Sequence, residues 1–100
     1  MPFFAAIFED DADQSARIRA AFTDEHVAWL ASRGDQVLLA GALTPADGGA
    51  ATGGLWVIQA ETADEARRLV AEDPFYREGL RKSFKLEGWS RGFPKHAVTI

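Results

Sequence analysis

The stretch Leu55-Trp56-Val57-Ile58-Gln59-Ala60-Glu61-Thr62-Ala63-Asp64-Glu65, written LWVIQAETADE, joins two kinds of local order. Its first six residues are a short run rich in aromatic and β-branched side chains, which reads as a strand. Thr62, with Glu65 three residues later, fits a capping box that opens a helix through Ala66, Leu69 and Val70. A strand that runs into a capped helix fixes the middle of the topology once its neighbours are read.

Upstream, residues 36–43 carry Val37-Leu38-Leu39-Ala40 and read as another strand, with a bend expected at Gly41. Residues 44–54, TPADGGAATGG, form a turn-rich polar loop between the two. Further back, residues 3–8 are an apolar and aromatic run too short for a helix, closed by Glu9-Asp10-Asp11. From Ser15 to Arg33, Ile18, Phe22, Trp29 and Leu30 recur at helical spacing, Thr23-Asp24 interrupts or recaps the helix, and Gly34 ends it. After EDPFY (residues 72–76) and Gly79, Leu80, Lys82, Phe84 and Leu86 alternate as a last strand that leads to Trp89. The order strand, helix, strand, strand, helix, strand predicts an α+β fold: the ferredoxin-like βαββαβ split unit, an antiparallel four-stranded sheet with two helices on one face. Residues 1–100 read as a single domain, with 90–100 as a tail ending in Ala97-Val98-Thr99-Ile100. Because Phe3, Phe4, Trp56, Phe84 and their alternates supply large side chains to both sheet faces, the bare face needs a cover, and a homodimer is expected.

Composition narrows the chemistry. One hundred residues, 47% of them hydrophobic and 26% charged, are enough to fold around one core. A formal net charge of -4 without a basic block disfavours nucleic acid as a partner, and Arg67, Arg68, Arg77, Arg81 and Lys82, interleaved with acids, read as solvated faces. The absence of cysteine excludes disulfides and thiolate chemistry and is compatible with a reducing cytoplasm, the expected location. The first apolar run is broken by acids within a few residues, so neither a signal peptide nor a membrane span is read there. There is no GxGxxG and no GxxxxGK[ST], so no nucleotide cofactor is expected. The carboxylates Asp10-Asp11, Asp13 and Asp24-Glu25 lack the second histidine of a transition-metal site, so no metal is expected either.

Two residues carry the candidate chemistry. His26 lies four residues after Phe22 and four before Leu30, on the apolar stripe and pointing inward. It reads either as a hydrogen-bonded core histidine or as a general base, which needs a neutral imidazole oriented through its other nitrogen. If Thr23 caps a fresh helical segment, the helix dipole helps to keep that imidazole neutral. Asp73 before Pro74 reads as a helix N-cap, and a carboxylate with one oxygen on backbone amides can offer the other to an imidazole. Arg17 or Arg19 is read either as a holder of a substrate carboxylate or as solvated. Gly41 and the glycines of TGG allow loop flexibility or close approach of a ligand to the backbone, and His96 beside Lys95 reads as solvated.

Taken together, ARIRAAFTDEHVAWLASRGDQVLLAGAL, GGLWVIQAETADEARRLVAEDPFYREGL and the closing KLEGW resemble the YCII family of small ferredoxin-like proteins, over residues 3 to about 93. The resemblance implies a dimeric α/β barrel with a small-molecule pocket in each subunit and a His and Asp pair at that pocket, carried here onto His26 and Asp73. Relatives include a dehydrochlorinase acting on a chlorinated aromatic breakdown product, and related barrels include muconolactone isomerases and cofactor-free monooxygenases. This chain departs in having Gly41-Ala42-Leu43 where the family often has Gly-Pro, which reshapes one pocket wall, and in its longer tail. The expectation is a cofactor-independent lyase or isomerase that abstracts a proton from a small anionic or cyclic substrate, His26 acting as base and Asp73 orienting it. The alternative is a non-catalytic dimeric binding or accessory module in which both residues are structural.

Overall fold

Alternation along each strand sorts its side chains onto two faces, and the computed structural model, which describes residues 2–92, shows where each face goes. In chain order the elements are β1 (Phe3–Asp10), α1 (Ser15–Ser32), β2 (Val37–Leu43), β3 (Gly53–Gln59), α2 (Ala63–Glu72), the short α3 (Pro74–Arg77) and β4 (Arg81–Trp89). The strands lie in the order β2-β3-β1-β4, every pair antiparallel, which is the ferredoxin-like arrangement expected. On one face Ala6 and Phe8 of β1, Trp56 and Ile58 of β3 and Val37 of β2 pack with Ala66, Leu69 and Val70 of α2, joined by Trp29 and Leu30 of α1. A second cluster of Ile18, Phe75 and Leu80, with Phe22 against it, ties α1 to α3 and the start of β4. Each fully buried large apolar side chain contributes about 1.5–3 kcal/mol. The two clusters therefore fix the helices on the sheet beside the candidate residues.

The other face is less covered. The register sets Ile7 opposite Leu55, Leu39 opposite Val57 and Trp89 opposite Phe3, so these six side chains share that face. Ile7, Leu39 and Trp89 are exposed there.

Several local expectations change. α1 runs unbroken through Thr23, whose hydroxyl donates to the Arg19 carbonyl one turn back instead of capping a new segment. His26 is therefore mid-helix and receives no help from a helix N-terminus. The irregularity in β2 falls between Val37 and Leu39, not at Gly41. Gly53 and Gly54 belong to β3 rather than to a loose loop, because a Cβ on Gly53 would lie 2.1 Å from the Phe8 carbonyl oxygen. The capping box forms with a shifted return arm: Thr62 Oγ1 accepts from the Glu65 N–H at 3.1 Å, while the Glu65 carboxylate accepts from the N–H of Glu61 at 3.2 Å. His96 and the apolar end of the tail lie outside the described residues. Among the described residues no helix is long and apolar enough to cross a membrane.

Candidate active site

The position of Asp73 follows from Pro74. A residue before proline is pushed out of the helical region, and Asp73 adopts φ -62°, ψ 132°, which ends α2 and restarts the chain as α3. The restart ends in a Schellman turn: Gly79, at φ +89°, donates to the Tyr76 carbonyl and Leu80 to that of Phe75. Asp73 occupies the N-cap position, but its side chain makes no cap hydrogen bond, contrary to the reading of a carboxylate shared with backbone amides. Instead the side chain is wholly buried and turned toward α1.

There His26 Nδ1 lies 2.6 Å from Asp73 Oδ1, across 47 residues of sequence. The two residues singled out in the sequence are thus brought together. A carboxylate accepts, so Nδ1 carries a proton, and in the neutral imidazole the lone pair then falls on Nε2. The imidazole stacks on Phe75, with ring centroids 4.0 Å apart and planes inclined by 15°, and Trp56 lies 6.4 Å away. Asp73 Oδ2 has no hydrogen-bond partner among the described residues.

His26 lines a cavity of about 220 Å³ together with Trp56, Phe75, Gly41, Arg19 and Arg81. Gly41 forms open wall, with no atom within 4 Å of where a Cβ would stand. Arg17, in contrast, bonds Gln14 at the exposed start of α1. Arg19 is not simply solvated: its Nη2 donates to Asp10 Oδ2 at 2.6 Å. Arg81 reverses its reading as part of a solvated face. Its side chain is 3% exposed, donates from Nη1 to Asp10 Oδ1 at 2.7 Å and lies over the Phe8 ring at 4.3 Å. Burial lowers the pKa of Arg81, and the Asp10 carboxylate opposes that shift.

Asp10 and Arg81 are the residues that sequence reasoning missed. For Asp10 a signal existed, since it continues the inward series Phe4, Ala6, Phe8 by steps of two. Arg81 gave none. It stands an odd number of residues from the inward Phe84, and only the register shift between Glu9 and Asp10 returns it to the helix side, opposite Asp10. Gly54 makes room for it, because a Cβ there would come within 3.2 Å of both its Nη atoms. Among the described residues no group of three metal-ligating side chains occurs.

Comparison with known proteins finds relatives of the chain as a whole. The family model of the YCII-related domain matches residues 3–90. A 5-chloro-2-hydroxyhydroquinone dehydrochlorinase from Burkholderia phenoliruptrix, solved in complex with 2,5-dihydroxybenzoquinone, is similar at a TM-score of 0.79 and 26% identity, over 90% of this chain and 95% of that one. A protein from Agrobacterium tumefaciens aligns at a TM-score of 0.54 and 12% identity, over 90% and 92% of the two chains. A NIPSNAP family protein from the same organism aligns at 0.53 and 14%, over 88% and 90%. The last two likenesses concern the fold alone. Among curated proteins nothing matches.

Proposed function

Since the chain belongs to the YCII-related domain family, we propose that it is a cofactor-independent enzyme that removes a proton from a small cyclic organic substrate, with elimination of chloride or isomerisation as the outcome. The observation that carries this reading is the imidazole of His26, held at Nδ1 by a buried carboxylate and lining a cavity large enough for one ring. His26 Nε2 takes the proton, and Asp73 holds the ring orientation and stabilises the imidazolium. In an elimination the electron pair released by the proton passes through the substrate ring, the carbon–chlorine bond breaks and chloride departs. Loss of HCl balances the step without an external oxidant. Trp56 and Phe75 limit water at the cavity. The structural similarity to a dehydrochlorinase supports this class of reaction and of small-molecule partner.

The test is chloride release from hydroxylated chlorohydroquinones, followed with a chloride electrode, alongside binding of 2,5-dihydroxybenzoquinone. Wild-type protein should release chloride, and His26→Gln should slow release by about 10²- to 10⁴-fold while remaining folded. Equal rates with and without His26 would sink the proposal. The complete burial of Asp73 favours a second reading, a binding module with a structural pair. That reading expects His26→Gln and Asp73→Asn each to cost about 1–3 kcal/mol of stability with no turnover to lose. In either case we propose that the chain acts as one domain in a homodimer, which covers the apolar sheet face.

A further inference from the structure

We propose that the Asp10-bridged pair of arginines, Arg19 and Arg81, forms the anion-binding end of the cavity and selects single-ring substrates that carry an oxyanion. This deepens the reading of His26 as a base and rests on it for the reaction, but not for the binding.

Asp10 gives one oxygen to Arg19, at 2.6 Å, and the other to Arg81, at 2.7 Å. Two cations thus share one carboxylate as hydrogen-bond partner, while the nearby Asp73 carboxylate, bonded to neither guanidinium, balances the charge of the resting site. Both arginines line the cavity that His26 lines. The Arg81 side chain is almost completely buried, and its Nε has no hydrogen-bond partner among the described residues. A desolvated guanidinium that shares its one bonded carboxylate with a second arginine is a favourable partner for a planar oxyanion.

The aromatic floor places these groups together. Arg19 and Arg81 lie 5.4 and 5.5 Å from the centroid of Phe75, the ring on which His26 stacks. The base and both cations thus line one cavity, and about 220 Å³ leaves little room for more than one ring. The charge pattern also matches the state after proton transfer. Once His26 holds the proton, Asp73 pairs the imidazolium, and the two arginines, with Asp10 alone between them, leave one positive charge for the oxyanion on the substrate. Groups set in advance for charges that develop in the reaction favour its transition state over its ground state.

The experiment is calorimetric titration with benzoate and benzamide, two rings of nearly equal size that differ in charge. Wild-type protein should bind benzoate about tenfold or more tightly than benzamide, and Arg19→Gln should remove most of that preference while leaving benzamide affinity unchanged. Because removing Arg81 alone strands Asp10, the second variant is Asp10→Asn with Arg81→Gln, which should lose the preference as well. His26→Gln should keep it. Equal affinity for the two rings, no benzoate binding at millimolar concentration, or a preference that survives both arginine variants overturns the proposal. So does a preference lost in His26→Gln, since the imidazole would then be the anion's partner. Absence of chloride release fails the reaction reading without touching this result, and equal binding fails the anion site without touching the base.

Discussion

At the scale of single residues, the decisive fact is that Pro74 turns Asp73 away from its own helix. An aspartate that capped α3 would be spent on backbone amides; this one is given to His26 alone. Replacing Asp73 with asparagine keeps the shape but supplies an NH₂ that can donate to Nδ1, which drives the imidazole proton to Nε2 and removes the basic lone pair. Asp73→Asn should therefore lower turnover by about 10²- to 10⁴-fold, and ¹⁵N chemical shifts of His26 should report the exchange of tautomers. An unchanged tautomer with full activity would refute the orienting role. Arg81 makes a second test, this time of stability. Arg81→Met leaves Asp10 buried beside one partner and should cost about 3–5 kcal/mol in urea unfolding, whereas Arg81→Met combined with Asp10→Leu should recover most of that loss. The inward direction of His26 was legible from its place on the stripe of Phe22 and Leu30. Its partner was not legible from periodicity, because contacts 47 residues apart depend on how helices pack; the family resemblance supplied the pair.

Among the elements, legibility followed local chemistry. The start of α2 was readable because a capping box is written in four adjacent residues, and Thr62→Ala should cost about 1 kcal/mol, read as a lower midpoint in thermal unfolding. Glu65 still bonds the Glu61 amide, so the loss should not exceed that of a single cap. The start of β3 was misread because TPADGGAATGG has loop composition throughout. Only the neighbouring strand distinguishes a flexible glycine from one that must be small. Gly53→Ala should therefore be far more damaging than Gly88→Ala, since the Phe8 carbonyl oxygen blocks the added Cβ at Gly53 while open space surrounds that of Gly88. Forcing β1 and β3 apart at this point should cost about 1–3 kcal/mol and loosen the floor beneath Asp10, visible as faster amide exchange in both strands. The continuity of α1 was obscured by Thr23-Asp24, a pair whose side chains serve as caps in other settings; the Thr23 hydroxyl is absorbed by the helix itself.

For the whole molecule, the order of elements was enough to give the sheet, because periods of two and 3.6 change at clear places along the chain. The apolar character of the second sheet face followed from the same alternation. Ile7, at 39% exposure, Leu39, at 52%, and Trp89, at 41%, stand on the face opposite the helices and come from three different strands. Phe3, Leu55 and Val57 extend that face between them. Apolar side chains contiguous across three or more strands are what an interface presents, and a two-fold related copy would cover each with its own equivalent. Cavity and exposed apolar face lie on opposite sides of the sheet, so disrupting one should spare the other at the level of the monomer fold. Ile7→Lys with Leu39→Lys puts two like charges on each half of such an interface, where repulsion and desolvation both oppose association. In analytical ultracentrifugation at micromolar concentration the wild type should sediment as a dimer and the double variant as a monomer with unchanged circular dichroism. If the monomeric variant still binds benzoate as the wild type does, each cavity is complete within one chain. Loss of that binding together with the dimer would mean instead that the partner holds the cavity walls in place.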